Sequence, residues 1–277
     1  MQGIKPKIKL QEGRIYSIIP KGDYMDLEML IEYWRQEESV AQIKGWDFSY
    51  IEDRHAEIGE LPWDYKTVIK EHLQEDMRLL DIDTGGGEFL LSLGHPLGNI
   101  SATENYPPKV DLCRNTLIPL GIDFKPANGG GELPFDDGAF DMVIDRHGDF
   151  NPKEIYRVLK KGGLFITQQV GAYNDRELVE LLLGDVPVTF PEQLLNSVMA
   201  AFENAGFEVL QAAEHFRPMR FYDVGAIVWF ARIIEWEFPS FSVDSHLQGL
   251  LKAQAIIEKQ GYVETKTHRF MLVAKKK

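Results

Sequence analysis

The sequence predicts an α/β protein with a largely parallel sheet covered by helices on both faces. From Arg78 onward, short apolar runs alternate with stretches of helical periodicity, and parallel strands need such crossover helices between them. A glycine-rich turn, Thr84-Gly85-Gly86-Gly87, joins the first of those runs to a helical pattern. With 277 residues, the chain is long enough for one large domain with an accessory cap.

The elements are expected in the following order. Leu27, Leu30, Ile31 and Trp34 recur at the spacing of one helix face. Tyr65, Val68, Ile69 and Leu73 repeat that spacing after the start signal Pro62-Trp63-Asp64. An aromatic, irregular stretch with Trp46, Phe48 and Tyr50 separates the two. Residues 78–83 (RLLDID) read as a strand, 88–93 as a helix and 99–104 (NISATE) as the next strand. Proline suits the first turn of a helix, so Pro107-Pro108 opens one that runs to about Leu120. Residues 122–125 and 141–144 follow as strands. Residues 152–160 read as a helix stopped by Lys161-Gly162-Gly163, and 164–169 as a fifth strand. In the last third, 191–205 reads as a helix ending at Gly206, and 207–212 as a strand. Helices over 224–235 and 245–259 precede a closing strand at 269–274. The extra helices are expected to build a lid.

Composition excludes several classes. Lys and Arg number 30 against 43 Asp and Glu, a formal net charge of −13. So acidic a surface repels phosphate backbones and anionic lipid, and the short basic end Lys275-Lys276-Lys277 does not offset it. No nucleic-acid or membrane partner is therefore expected. The single cysteine, Cys113, excludes a disulfide framework or cysteine-rich zinc site within one chain. His55, His72, His95, His246 and His268 are scattered without metal-ligand spacing, so no metal site is expected. The opening residues lack the apolar core of a secretory signal, and no apolar stretch approaches the roughly 18 residues of a membrane span. A soluble, cytoplasmic protein is expected, its oligomeric state unreadable from sequence.

The strongest local signal is Leu79-Leu80-Asp81-Ile82-Asp83-Thr84-Gly85-Gly86-Gly87. An apolar strand ending in acidic residues, then a glycine turn opening a helix, forms a cradle for a nucleotide-type ligand. Glycine lets the backbone approach closely, and the helix start offers unpaired N–H groups. The alternative is a purely structural strand-to-helix turn. The dinucleotide fingerprint fits poorly because its third glycine falls on Leu90, and no lysine follows to make a P-loop. Glu104 ends the next strand, 23 positions after Asp81, where a carboxylate accepts hydrogen bonds from ribose hydroxyls.

Four blocks stand in one order: LLDIDTGGG at 79–87, SATE at 101–104, ELPFDDGAFDMVIDRHG at 132–148 and EIYRVLKKGGLFITQQVG at 154–171. Over about residues 65–171 the sequence resembles the class I S-adenosylmethionine-dependent methyltransferases. The resemblance implies a Rossmann-like, doubly wound, mostly parallel seven-stranded sheet with a helical lid from the N- and C-terminal parts. It implies a helical cap over 1–64 and a methyltransferase domain over 65–277, with a helical insertion at about 215–265. The implied cofactor is S-adenosyl-L-methionine. Asp81, Asp83, Thr84, Gly85, Gly86 and Gly87 would surround its methionine part, and Glu104 with Asn105 its ribose. Asn128 and Gly129, after the third strand, would meet the adenine, and Asp145 would close the site at the fourth strand. Arg146 and His147 would face the reacting methyl group as catalytic candidates.

The chain departs from the family pattern in three places. Asp83 stands where glycine is usual, and its carboxylate would oppose the cofactor's own unless it turns to amides or to a basic neighbour. Ala127-Asn128-Gly129-Gly130-Gly131 replaces the usual acid after the third strand, although the Asn128 amide oxygen can accept from an adenine amine. Lys161 replaces a common proline before Gly162. A sulfonium is already an activated leaving group, so the protein mainly aligns nucleophile, methyl and sulfur. A base is needed only where the acceptor atom carries a proton. His147, with an ordinary pKa near neutrality, is the base candidate, its alternative being a hydrogen bond to the loop or the cofactor. Arg146 either holds an anionic substrate or pairs with Asp145. Phe221, Trp229, Phe230, Trp236 and Phe238 read as core or as cavity lining, and His215, Arg217 and Arg220 as cations able to meet an acidic group. The expected function is methyl transfer to a small molecule. The alternatives are RNA base methylation, against which the net charge weighs, and cofactor binding without catalysis.

Overall fold

The computed structural model describes residues 7–11, 14–18, 24–42 and 48–277; Trp46 lies outside them. The chain folds as two compact units. The first joins Met1–Glu60, Tyr173–Thr189 and Phe216–Thr267, and the second joins Leu61–Ala172, Phe190–His215 and His268–Lys277.

In chain order, β1 (Lys7–Gln11), β2 (Arg14–Ile18) and β3 (Tyr24–Met25) make a small antiparallel sheet the sequence reading had not anticipated. Helix α1 (Leu27–Val40) starts under Asp26, whose carboxylate accepts the Met29 amide. A short strand β4 (His55–Glu57) follows, then α2 (Tyr65–His72), capped in the same way by Asp64. β5 (Leu79–Ile82), α3 (Glu88–Ser92), β6 (Ile100–Glu104), α4 (Pro107–Thr116) and β7 (Asp123–Pro126) then alternate as expected. β8 (Phe140–Arg146) leads through α5 (Pro152–Val158) to β9 (Leu159–Val170). Helix α5 ends earlier than expected because Leu159 already pairs with Phe140, before the ladder resumes at Met142 opposite Leu164.

Helix α6 (Arg176–Leu183) is new relative to the sequence reading. Helix α7 (Leu195–Asn204) begins four residues later than expected, after residues 190–194 spend their backbone groups on turns, Gln193 N to Phe190 O and Leu194 N to Glu192 O. β10 (Phe207–Phe221), α8 (Val224–Ile233), α9 (Leu247–Gln260) and β11 (Val263–Lys276) complete the chain. No helix of the described residues is long and apolar enough to cross a membrane.

The main sheet runs β4-β10-β11-β9-β8-β5-β6-β7. It has eight strands rather than the seven expected, because His55–Glu57 adds to the far end of β10 through the pairs Met219–Glu57 and Phe221–His55. β5, β6, β7, β8 and β9 are mutually parallel, and β11 lies antiparallel to β9. The chain order reverses at β5, which has β6 on one side and β8 on the other. Such a switch point opens a crevice beyond the carboxyl ends of the strands.

In the second unit the sheet is covered on both faces, and side-chain alternation decides which core each residue joins. Leu79, Ile100, Ala102, Met142 and Ile144 pack with Tyr65, Val68 and Ile69 of α2 and with Leu90 and Cys113. Leu80, Ile82, Val143 and Phe165 pack on the other face with Ile155, Val158 and Phe202. Phe165 and Phe202 stack with centroids 4.9 Å apart. In the first unit, α8 is buried except at Arg232, among Leu30 and Trp34 of α1, Leu178 and Leu182 of α6, and Leu250 of α9. Phe221, Trp229, Phe230 and Phe238 belong to this core. Arg54 pairs there with Glu37 at 3.0 Å and with Asp223 at 3.5 Å. Arg217 pairs with Glu57, and Arg220 with Glu264 at 2.7 Å, so the acidic groups these two cations meet include side chains of the chain itself.

Candidate active site

The loop after β5 carries an unusual concentration of carboxyl groups. Asp81 is 4% exposed and accepts the Thr84 hydroxyl at 2.6 Å. Burial pushes its pKa up to about 7, against the pull of Thr84 and Arg146 and with a further push from Asp83 and Glu104. Asp83 adopts the left-handed region at φ 50°, the conformation glycine supplies at no steric cost and Asp tolerates through its short polar side chain. One carboxylate oxygen of Asp83 accepts the Asp149 amide at 3.1 Å, and the other, Oδ1, is buried without a partner among the described residues. Burial raises Asp83 to about 6, although the amides of Asp149 and Gly129 pull it down. The carboxylate thus turns to amides, as the sequence required of an acid in that place. Gly87 closes the turn at φ 85°, and a Cβ there would stand 2.7 Å from Leu117, so no larger residue fits the entry to α3.

Glu104 ends β6 and is 6% exposed. Its Oε2 accepts the Gly85 amide, and its Oε1 accepts the amides of Asn105 and Tyr106, all at 2.9 Å. The glutamate therefore fixes the glycine turn as well as facing the crevice. After β7, Asn128 is exposed, and its amide oxygen accepts the Gly130 amide at 2.8 Å. Gly129 lies so close to the β8 loop that a Cβ would stand 2.1 Å from the Asp149 carbonyl oxygen. The loops after β5, β7 and β8 therefore come together at one place.

At the end of β8, Asp145 is fully buried and accepts from Gly148 N at 3.3 Å, from Thr167 at 3.4 Å and from the Gln169 amide. Its Oδ2 is buried without a partner among the described residues. Burial first, then Asp83 and Asp81, raises its pKa well above the usual carboxylate range. Arg146 is exposed, and its guanidinium lies over the Phe89 ring, 4.3 Å from the centroid, rather than on Asp145. His147 also takes the left-handed region, at φ 66°, and its ring Nε2 lies 3.3 Å from Gln168 Nε2. Surrounding protein, then the positive charges of Arg269 and Arg146, push its pKa down to about 3. Both causes have the same sign, and His147 is neutral at physiological pH.

All the sequence-predicted site residues lie in the second unit, at the carboxyl ends of β5, β6, β7 and β8. Sequence reasoning missed Tyr65, Trp63, Gln168 and Gln169. The buried Tyr65 hydroxyl, 2.8 Å from the carbonyl oxygen of Asp145 and 2.9 Å from that of Ile166, ties the two strands that end at the site. The Trp63 indole donates to Gln168 Oε1 at 2.8 Å. Two adjacent glutamines following the apolar run Leu164-Phe165-Ile166 were the available signal. The crowded acids suit a ligand bearing positive charge: two buried carboxylate oxygens, Asp83 Oδ1 and Asp145 Oδ2, want donors there.

Residues 80–167 match the model of a family described as a methyltransferase domain. No curated protein matches the chain at a significant level. Among solved structures it is similar to a candidate methyltransferase of Bacillus halodurans, 17% identical with a TM-score of 0.54, over 77% of this chain and 98% of that one. It is similar to the YcgJ protein of Bacillus subtilis, at 15% identity and a TM-score of 0.50, over 77% and 98% of the two chains. A protein of unknown function from Deinococcus radiodurans is 14% identical, with a TM-score of 0.51 over 80% and 91%. At this identity the likenesses establish the fold, and the family model covers the strands and loops that make the site. Residues 80–167 thus carry the pattern of a methyltransferase domain, and the likenesses over the greater part of the chain give it the fold of these neighbours.

Proposed function

We propose that the chain transfers the methyl group of S-adenosyl-L-methionine to a small-molecule acceptor, in the cytoplasm, at the carboxyl ends of β5, β6 and β8. The observation that carries this reading is the cluster of buried acids around the glycine turn, with oxygens of Asp83 and Asp145 lacking donors. When bound, the cofactor supplies a methyl group on a sulfonium, together with an ammonium, and so brings two positive charges to that cluster. Asp83 and Asp145 offer those oxygens to the ammonium side. Asp81 holds the Thr84 hydroxyl and with it the shape of the turn, while Gly85, Gly86 and Gly87 admit the ligand close to the backbone. Oε2 of Glu104, which accepts only the Gly85 amide, has a lone pair in reserve for a ribose hydroxyl, beside the exposed Asn105. Asn128 keeps a second amide-oxygen lone pair for an adenine amine, and Gly129 brings that loop against the β8 loop. Arg146 and His147 are the residues placed to face the acceptor.

The small-molecule class rests on the net charge of −13, which opposes a polyanionic acceptor. Incubation with methyl-labelled cofactor is expected to label compounds in a deproteinised metabolite extract and to leave total RNA unlabelled. Stoichiometric label in RNA, with a steep salt dependence, would reverse the assignment of the acceptor. No heat and no thermal shift with S-adenosylmethionine or its demethylated product, while NAD or ATP bound instead, would remove the cofactor.

A further inference from the structure

We infer that Trp63 and Gln168 lock His147 into one neutral tautomer, with its proton on Nδ1, so that the loop after β8 presents a hydrogen-bond donor and not a base. The inference follows a chain of obligatory roles. An indole nitrogen can only donate, so the contact from Trp63 Nε1 at 2.8 Å fixes which end of the Gln168 amide is oxygen. The amide nitrogen must then be the end that faces His147 Nε2 at 3.3 Å. An amide nitrogen can only donate as well, so Nε2 accepts with its lone pair and carries no proton. In a neutral imidazole the proton then resides on Nδ1, which has no hydrogen-bond partner among the described residues.

The surroundings reinforce the arrangement. Gln168 is 9% exposed and sits in β9 opposite Arg146 of β8, and its own carbonyl accepts the His147 amide at 3.0 Å. The ring, one residue past the end of β8, is therefore held beside the amide on the adjacent strand β9. Protonating Nε2 would turn an acceptor into a donor facing a donor, and the charges of Arg146 on β8 and Arg269 on β11 oppose a further cation.

The consequence deepens the proposed function and rests on it. An N–H can hold an acceptor in place by donating to a lone pair, but it cannot take the acceptor's proton. The acceptor must then arrive with its reacting atom already deprotonated, as an anionic oxygen does. The bond formed is carbon to that oxygen, the bond broken is carbon to sulfur, the electron pair leaves with sulfur, and no proton changes hands. In these terms His147 touches the acceptor, and Gln168 and Trp63 are positioning residues that act through it.

The tautomer can be read without any ligand, by long-range proton–nitrogen correlation on the full chain labelled in its histidines. His147 is located among the seven histidines by the loss of its signals in His147→Asn. The wild type is expected to show the Nδ1–H form from pH 5 to 8. Gln168→Glu replaces the donor by an acceptor while leaving Trp63 its partner. It is expected to move the proton to Nε2 and to raise the histidine pKa by at least about one unit. Trp63→Phe, the milder change, frees the amide and is expected to give a mixture of both tautomers. An Nε2–H form in the wild type, or an unchanged tautomer in both folded variants, would overturn the inference. Cofactor binding to the wild type, followed separately by calorimetry, reports on the functional reading and leaves the tautomer readout untouched.

Discussion

The loops after β5 and β8 begin alike and end opposite. Each turns on a residue other than glycine in the left-handed region, Asp83 at φ 50° and His147 at φ 66°. Around Asp83 stand carboxyl groups, and burial raises the pKa of Asp81 to about 7 and that of Asp83 to about 6. Around His147, burial and then the guanidinium groups of Arg269 and Arg146 lower its pKa. One crevice thus has an end that welcomes cations and an end that presents donors. On the proposed function, the difference would separate a place for the cofactor's positive charges from a place for an electron-rich acceptor, on strands that are hydrogen-bonded neighbours.

The pH dependence of stability is the strongest way to break this comparison, because the two ends carry opposite signs. Asp81 and Asp83 have folded pKa values raised to about 7 and about 6. Their contribution is present in full below pH about 4, where the unfolded carboxyls are protonated too, and is lost as pH rises through 6 to 7. His147 has a folded pKa lowered to about 3, so its contribution is present above about pH 6.5 and is lost as pH falls toward 3. Asp81→Asn is expected to remove its own share of the loss on the alkaline side, leaving those of Asp83 and Asp145, an effect on the order of a few kcal/mol for so buried a group. His147→Asn should flatten the acid side instead. Urea unfolding at a series of pH values measures both, and a variant that moved the other limb would show that the two ends are not independent. By the same logic, binding of a cationic ligand should release protons near pH 6–7 and tighten as pH rises.

Glu104→Ala comes next in size. Loss of hydrogen bonds to a charged group is expected to weaken cofactor binding by roughly 1.5–3 kcal/mol, by calorimetry. Stability should fall too, because the amides of Gly85, Asn105 and Tyr106 lose their acceptor. A folded variant with unchanged affinity would remove Glu104 from the site.

How much of this was legible in the sequence follows from the range of the forces involved. The parallel strands and the turn at Gly85, Gly86 and Gly87 were readable because apolar period and glycine are local signals. Spacing after the glycine turn gave Glu104 its ribose role, and the resemblance of four ordered blocks supplied the family and with it a place for Asp145. The turning of Asp83 toward the Asp149 amide was stated only as a condition, since its partner lies 66 residues away. Gln168 and Trp63 were invisible for the same reason: they stand 105 residues apart and meet His147 through pairing of β8 with β9. Strand β4 was missed because three residues hold no pattern of their own and become a strand only by adding to β10. The start of α7 was misplaced because a proline at 191 reads as a helix opening, whereas the residues after it make turns.

Gly148→Ala tests whether the two loops share space. A Cβ there would stand 2.5 Å from Asp145 Oδ2 and 2.7 Å from Asp83 Cβ, so one added methyl presses on both ends of the crevice at once. Overpacking of this kind is expected to cost about 1–3 kcal/mol of stability and to weaken cofactor binding together with it. Loss of stability with full affinity would mean that the acids yield without consequence for the ligand.

The smallest expected effect separates the adenine side from both loops. Asn128 sits in an exposed turn and accepts the Gly130 amide at 2.8 Å, a bond that closes the turn on itself. Asn128→Ala removes that bond where water can replace it, so stability should fall by no more than about 0.5–1 kcal/mol. If the second lone pair of its amide oxygen receives an adenine amine, affinity for S-adenosylmethionine should fall by about 0.5–1.5 kcal/mol. Affinity for an analogue bearing a hydroxyl or carbonyl in place of that amine should change less. Equal losses for both ligands would mean that the residue acts through the shape of the turn alone. The base would then be read by the backbone around Gly129, whose approach to the Asp149 carbonyl leaves no room for any side chain. The pH slopes assigned to Asp81 and His147 should survive Asn128→Ala unchanged, because no charge near either loop has been altered.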